Sequence, residues 1–366
     1  MKKEEAVRLM ENKFRERVNK DPRIRNAYML VHSEKNNIHL NIAEGQTEGM
    51  PANPQQQFHL ASIGKLFVSI LTGVLFEQEK ISYEDRITDF FNDDLLNNLH
   101  IYKGKEYTNE IKIKHILNHT SGLQDYFEDK PIKGKSMLDM IFDQPYRRWE
   151  AEDIILWSKS NQKSHFPPGE GFHYSDTGYH ILGLILENVT GLSLHEALEE
   201  YIFKPLHMNH TYLLSHEESS KRGKFSIADV YSKDINVKDY SILKDDYAGG
   251  GIISTTEDML KFMKAIVQHK IIKKVTFERM KDWAGFFNFF FIGIDYGYGL
   301  MSFKTIPILQ PKKYSIWGNA GSIGSFMFYQ PEKDIYFMGS LNQFRYHSKG
   351  IRLIFKMIDL IYKIKD

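Results

Sequence analysis

Residues 58–80 read FHLASIGKLFVSILTGVLFEQEK. Ser62 stands at the head of an otherwise apolar run and Lys65 follows three residues later. On a helix, positions i and i+3 share a face. A serine hydroxyl is a poor nucleophile until a base takes its proton, and a lysine can be that base if burial lowers its pKa. The S-x-x-K spacing alone is weak, because SNQK (Ser160, Lys163) and SILK (Ser241, Lys244) repeat it in polar or loop-like surroundings. Only Lys65 is followed by LFVSILTGVLF, which carries the ammonium into an apolar helix, where burial without a partner is costly.

Upstream, AYMLVHSEKNNIHLNIAEG holds two apolar runs separated by SEKNN and predicts a β-hairpin. Before it, Val7, Met10 and Phe14 among charges predict a solvated amphipathic helix. Downstream, IKIKHILNHTSGL reads as a short helix ending at Gly122, and residues 123–165 as helices with loops. A Pro/Gly loop, HFPPGEGF, precedes a helix from about Asp176 to Val189, with Gly191 as its stop. SLHEALEEYIFKPL is a further helix, and AGGGIISTTEDM turns into another, capped by Thr255 or Thr256 with Glu257 and Asp258 at its positive end. The tail is two strand-like runs around QPEKD, closed by the amphipathic helix KGIRLIFKMIDLIYKIK. Strands at both chain ends most simply form one sheet. The expected organisation is an α+β protein in which residues 1–75 and 245–366 form a sheet domain. Residues 76–244 form an inserted, mainly helical domain, with the active site between the two.

The 366 residues are 42% hydrophobic and 26% charged, with net charge +1. Bulk attraction to nucleic acid or anionic membrane is not implied. There are no cysteines, which excludes disulfides, thiolate metal sites and a cysteine nucleophile. The N-terminus is charged throughout and has no signal-peptide core, so a cytoplasmic location is expected. No run reaches the roughly 18 apolar residues of a membrane span. The nearest, WAGFFNFFFIGIDYGYGL at 283–300, is broken by Asn288, Asp295 and glycines. Its Trp283, Phe286, Phe287, Phe289, Phe290 and Phe291 read as packing, or more sharply as a hydrophobic acyl pocket. His115 and His119 have H-x-x-x-H spacing but lack the glutamate of a zinc helix and an evident third ligand, so neither metal nor other cofactor is expected. GNAGSIG lacks the lysine of a phosphate loop.

Three further stretches follow Ser62 in an informative order: YSD at Tyr174–Asp176, AGGGIISTTEDM at 248–259, and GNAGSIGSF at 318–326. With HTSGL at 119–123 and FPPGEGFHYSDTGYHILG, the ensemble resembles the serine β-lactamase-like superfamily, which holds class C β-lactamases, D-alanyl-D-alanine carboxypeptidases, D-aminopeptidases and related esterases. The resemblance covers roughly residues 25–345. It implies a β-lactamase/transpeptidase-like fold, Ser62 as the acylated nucleophile, Lys65 sharing the proton work, and Tyr174 as base toward Ser62 and then acid toward the leaving group. It implies an oxyanion hole from the backbone N–H groups of Ser62 and Ser322. It also places Asp176, Asn319 and Gly321 against the substrate, and makes the HTSGL turn with His119 structural.

Two departures stand out. Asp176 replaces the usual Asn of Y-x-N, and Asn319-Ala320-Gly321 replaces Lys-Thr-Gly or His-x-Gly. A carboxylate substrate loses an attraction and meets a repulsion, each on the order of a few kcal/mol at an effective dielectric near 20. The expectation is a serine hydrolase acting as an esterase or a D-amino-acid-directed ester/amide hydrolase, with a small-molecule or peptidyl partner. The alternatives are a low-activity β-lactamase or penicillin-binding D,D-carboxypeptidase, and a catalytically silenced binding protein of the same fold. Asp176 can also serve simply as a partner for Lys65. Oligomeric state and exact substrate are not set by the sequence.

Overall fold

In the computed structural model, which describes residues 1–92, 94–214, 223–284, 294–303 and 311–364, the two apolar runs near the N-terminus pair as β1 (Asn26–Ser33) and β2 (Ile38–Thr47). β3 (Met50–Pro51) extends that edge. The other strands come from the far end of the chain: β4 (Ile294–Tyr296), β5 (Met301–Phe303), β6 (Trp317–Ala320), β7 (Phe326–Gln330) and β8 (Ile335–Ser340). They form one eight-stranded antiparallel sheet in the order β4-β5-β6-β7-β8-β1-β2-β3. The seam joining the two chain ends is β1 against β8, in a register that sets Tyr28 opposite Ser340 and Val31 opposite Phe337.

Successive residues of β1 point to opposite faces, and both faces are covered. Ala27, Met29 and Val31 join one apolar cluster with helix α1 (Lys3–Asn19) and a C-terminal helix, His347–Ile361. Tyr28 and Leu30 join another with α2 (Gly64–Glu77), α3 (Asp176–Thr190) and α4 (Thr256–Val267). The C-terminal helix is α5. Phe67 of α2 stacks on Phe262 of α4 with ring centroids 3.8 Å apart. α1 departs from expectation: Met10 and Phe14 are fully buried with Ala6 and close to Val18, while Val7 is only partly covered. Its charges face water, and its fourfold-spaced apolar stripe seals the sheet.

Between the sheet segments the chain runs through short helices, among them Met137–Asp143 and Ala151–Asn161, with α3 the longest. Ser175 caps α3 by accepting from Gly178 N, and Gly191 ends it at φ 68°. Thr255 caps α4 by accepting from Asp258 N. The helix expected to reach Gly122 spans only Ile113–Leu117. The chain then turns through His119 (φ 59°) and Gly122 (φ 73°), so His115 and His119 do not share a helix face. No single helix among the described residues is long and apolar enough to cross a membrane.

Gly122 shows why that turn is structural. A Cβ there would lie 1.9 Å from Phe166 O and 2.8 Å from His100 Nε2, on a backbone that L side chains rarely adopt. Gly122 O also accepts from His165 N at 2.9 Å, which docks the Pro/Gly loop onto the turn. Gly122→Ala is expected to cost about 2–4 kcal/mol, read as a lower urea midpoint. A midpoint equal to the wild type would show that the turn relaxes freely.

Candidate active site

Ser62 lies in a short 3₁₀ turn, Ala61–Ile63, just before α2. Ala61 is held at φ 49°, a strained conformation for a residue with a side chain. Glycines from two distant segments explain how the turn is enclosed. A Cβ on Gly321 would meet Leu60 O at 2.6 Å, and one on Gly250 would meet the Ala61 carbonyl carbon at 2.5 Å. Ser325 Oγ donates to Leu60 O at 2.6 Å, tying the turn after β6 to the same backbone. Only side-chain-free residues let the end of β6 and the AGGG turn close on the Ser62 turn.

Lys65 has no exposed side-chain area. Its Nζ donates to Asp176 Oδ1, to Gly249 O at 2.6 Å and to Ser62 Oγ at 3.4 Å. Three acceptors match the three protons of an ammonium. Burial pushes the Lys65 pKa down, but Asp176, Asp246 and Tyr296 outweigh it and hold the group above its ordinary value. This corrects the expectation of a burial-lowered lysine base. Tyr174 hydrogen-bonds the Ser62 side chain, and its ring centroid is 5.1 Å from Lys65 Nζ. Burial, then Asp176, raises the Tyr174 phenol well above its ordinary value. A cation beside a phenol lowers its pKa, but burial and the nearby Asp176 hold Tyr174 high all the same.

His119 is a buried platform. Its ring centroid lies 4.1 Å from that of Tyr174, and its Nδ1 accepts from Ser175 N at 3.1 Å. Burial and Lys65 hold it neutral.

Ser62, Tyr174, Asp176, Gly321 and Ser322 line one cleft of about 500 Å³. Asn319 does not. It is fully buried, its Nδ2 donates to Gly299 O at 2.8 Å, and its Oδ1 accepts from Ala320 N at 2.7 Å. A Cβ on Gly299 would lie 2.7 Å from Lys65 O, so Asn319 tethers a loop against the Lys65 backbone instead of facing a ligand. Of the aromatic segment, 286–291 lies outside the described residues. Trp283 packs under Gly297, and the cleft's apolar wall is built from Phe127, Phe172, Ile294, Met301, Phe303 and Ile351.

Two acids that the sequence did not single out complete the site. Asp125 accepts from Asp176 N at 3.0 Å, and Asp246 accepts from the Tyr126 hydroxyl at 3.1 Å. Burial, then Asp176, raises Asp125 well above the carboxylate range and pushes Asp246 up to about 8. With Glu128 they line the cleft, and no lysine or arginine does so among the described residues. A carboxyl whose folded pKa exceeds its unfolded value stabilises fully below the unfolded value, and that contribution is lost as pH rises through the folded value. For Asp246 the window runs from 3.8 to about 8. Asp246→Asn keeps the neutral shape, so its thermal midpoint is expected to fall by several degrees less than the wild type's between pH 5 and ~9. Parallel curves would mean that Asp246 is ionised throughout.

A family model described as Beta-lactamase matches residues 14–357. The chain is 28% identical over 276 residues to Penicillin-binding protein 4* of Bacillus subtilis (strain 168), a match covering 69% of this chain and 54% of that protein. The chain spans about half the length, or less, of the curated relatives it matches. Among solved structures, D-amino acid amidase from Ochrobactrum anthropi SV3 aligns with a TM-score of 0.77 at 21% identity, over 97% of this chain and 99% of that one. D-stereospecific amidohydrolase from a Streptomyces species aligns with a TM-score of 0.76 at 21% identity, over 94% and 97%. These two likenesses establish the fold.

Proposed function

The chain belongs to the Beta-lactamase family, and on that premise we propose that it is a serine hydrolase forming an acyl-enzyme on Ser62, selective for esters or amides that carry a free ammonium group, D-aminoacyl compounds above all. What carries this reading is the lining of the cleft: Asp125, Glu128, Asp176 and Asp246 surround the Ser62 side, and no lysine or arginine lines it among the described residues. A substrate carboxylate finds no free cation in that lining, whereas an ammonium finds carboxyl oxygens and draws the raised Asp125 and Asp246 toward their ionised forms. The apolar wall, with Phe172, Met301 and Phe303, suits a hydrophobic side chain on the same substrate. Two structural neighbours, a D-amino acid amidase and a D-stereospecific amidohydrolase, support the same substrate class.

In this scheme the Ser62 oxygen attacks the carbonyl carbon while the Ser62 and Ser322 N–H groups receive the oxyanion. Tyr174 takes the Ser62 proton and returns it to the leaving group, then repeats the exchange with water to release the acyl group. The resting site is set against premature chemistry, because Lys65 is an ammonium and Tyr174 a phenol held high by Asp176. A substrate ammonium docked beside Asp176 offsets its field and brings the phenol down, so Tyr174 releases its proton to solvent and meets the Ser62 hydroxyl as a phenolate. The substrate's charge thus serves both binding and activation, and Lys65 orients Ser62 through its donated hydrogen bond.

The test compares D-phenylalanine amide and its methyl ester with their N-acetyl forms. One ammonium about 6 Å from an ionised carboxylate is worth about 2–3 kcal/mol at an effective dielectric near 20. Because Asp176 is paired with Lys65 and Asp246 is pushed up to about 8, the expected preference is roughly 10- to 100-fold in kcat/KM, larger above pH 8 than below it. Equal rates for free and acetylated amines would refute the ammonium subsite. Stable acylation by benzylpenicillin, seen by intact mass, would favour the penicillin-binding alternative.

A further inference from the structure

Asp129, His165 and His173 sit beside the loop that carries Tyr174 but outside the proton transfers assigned to Ser62, Lys65 and Tyr174. His165 Nε2 is 2.8 Å and His173 Nε2 3.0 Å from the same atom, Asp129 Oδ2. All three candidate ligand atoms lie within 4.8 Å of one another. In a tetrahedral zinc site with bonds of about 2.0–2.1 Å, ligand atoms stand about 3.3 Å apart. The observed His–Asp spacings of 2.8 and 3.0 Å are about 0.5 and 0.3 Å shorter than that, so a cation that displaces the two bridging protons has to spread both pairs slightly.

The three side chains are also held in place from behind. His165 N donates to Gly122 O at 2.9 Å and His173 N to His119 O at 2.9 Å. Asp125 N donates to Asp129 Oδ2 at 2.8 Å, the kind of outer-shell bond that orients a ligating carboxylate. The imidazoles stack with centroids 3.5 Å apart and planes 25° apart, and both Nε2 atoms face the same Asp129 oxygen; a metal ion there would tilt the two rings apart. Burial pushes the Asp129 carboxyl up, but hydrogen bonds from His165 and His173 outweigh it and hold the group below the usual carboxylate range. Side-chain exposures of 34%, 26% and 18% for His165, His173 and Asp129 leave an opening for water to fill the remaining coordination positions.

We propose that Asp129, His165 and His173 form a divalent-metal site of zinc type, which clamps the loop ending at Tyr174 to the segment following the His119–Gly122 turn. Two imidazoles, one carboxylate and open positions make a donor set that zinc accepts. The ion replaces two hydrogen bonds by stronger metal–ligand bonds one residue before Tyr174, and no chemical step passes through it. Sequence spacing hides the site because Asp129 is 36 and 44 residues from its two partners.

The test starts from protein stripped with a chelator and follows binding, not turnover. One equivalent of Co²⁺ is expected to give visible ligand-field absorption that Zn²⁺ abolishes, and Zn²⁺ is expected to raise the thermal midpoint. In competition with a chromogenic chelator, His165→Asn and His173→Gln should each lose at least ~30-fold in zinc affinity. Their metal-free thermal midpoints report folding separately, and Asp129→Asn supplies a third variant should either prove unstable. Zinc bound equally by wild type and variants, or absence of a cobalt band in the wild type, would overturn the site and leave the cluster as a hydrogen-bond clamp.

Discussion

Ser62→Ala is expected to lower kcat on a D-aminoacyl ester by ~10⁴-fold or more and to abolish any acyl adduct in the intact mass. The side chain is half-buried and contributes the longest of the three Lys65 hydrogen bonds, at 3.4 Å. Lys65 keeps Asp176 and Gly249 O, so the stability change should stay near ~1 kcal/mol. Activity and stability therefore separate, which marks chemistry and not packing. The other two S-x-x-K serines serve as internal controls. Lys163 and Lys244 are exposed, and Lys244 pairs with Asp239 at 3.2 Å, so neither lysine is confined beside its serine. Ser160→Ala and Ser241→Ala should leave turnover unchanged. Turnover surviving in Ser62→Ala would place the nucleophile elsewhere. A wild type that resists labelling by a fluorophosphonate and hydrolyses no ester would establish the silenced form of the fold.

The sheet was readable because its two halves carry short apolar runs with turn residues between them, and neither half has another partner for its strand edges. The Ser62 helix was readable because an ammonium in LFVSILTGVLF calls for compensation. The source of that compensation could not be read. Asp176, Asp246 and Gly249 reach Lys65 from segments more than a hundred residues away, and the field of Asp176 and Asp246, with Tyr296, reverses the effect of burial. Asn319 was misplaced for a related reason: a motif position fixes a residue on a strand but not the acceptor its side chain finds, here Gly299 O. The burial of α1 was legible in principle. Ala6, Met10, Phe14 and Val18 recur every four residues, a stripe interleaved in sequence with the charges that face water. Asp125 and Asp246 lie 121 positions apart, and only the fold makes them one acidic wall.

Asp176→Asn, which restores the residue usual at this motif position, is expected to lower the free-amine to N-acetyl preference by ~10–100-fold. The same carboxylate has two effects in the wild type. It lines the cleft as a negative charge, and it raises Lys65, Tyr174, Asp125 and Asp246 together. Removing it weakens the attraction for ammonium and lets both Lys65 and Tyr174 lose protons at lower pH. The rate profile for a neutral ester should therefore rise at a more acidic pH than in the wild type, while KM for the cationic substrate increases. Carboxylate-bearing substrates lose a repulsion, so slow acylation by benzylpenicillin should appear in the variant. Breaking a buried ion pair ordinarily costs about 3–5 kcal/mol. Here Gly249 O and the field of Asp246 remain, and the amide oxygen that the substitution introduces can still accept from Lys65. The preference is a ratio of two kcat/KM values from one preparation, so the folded fraction cancels and a less stable variant still gives a valid answer. An unchanged ratio with an unchanged pH profile would reduce Asp176 to a structural counter-ion for Lys65 and leave the ammonium subsite to Asp125, Glu128 and Asp246.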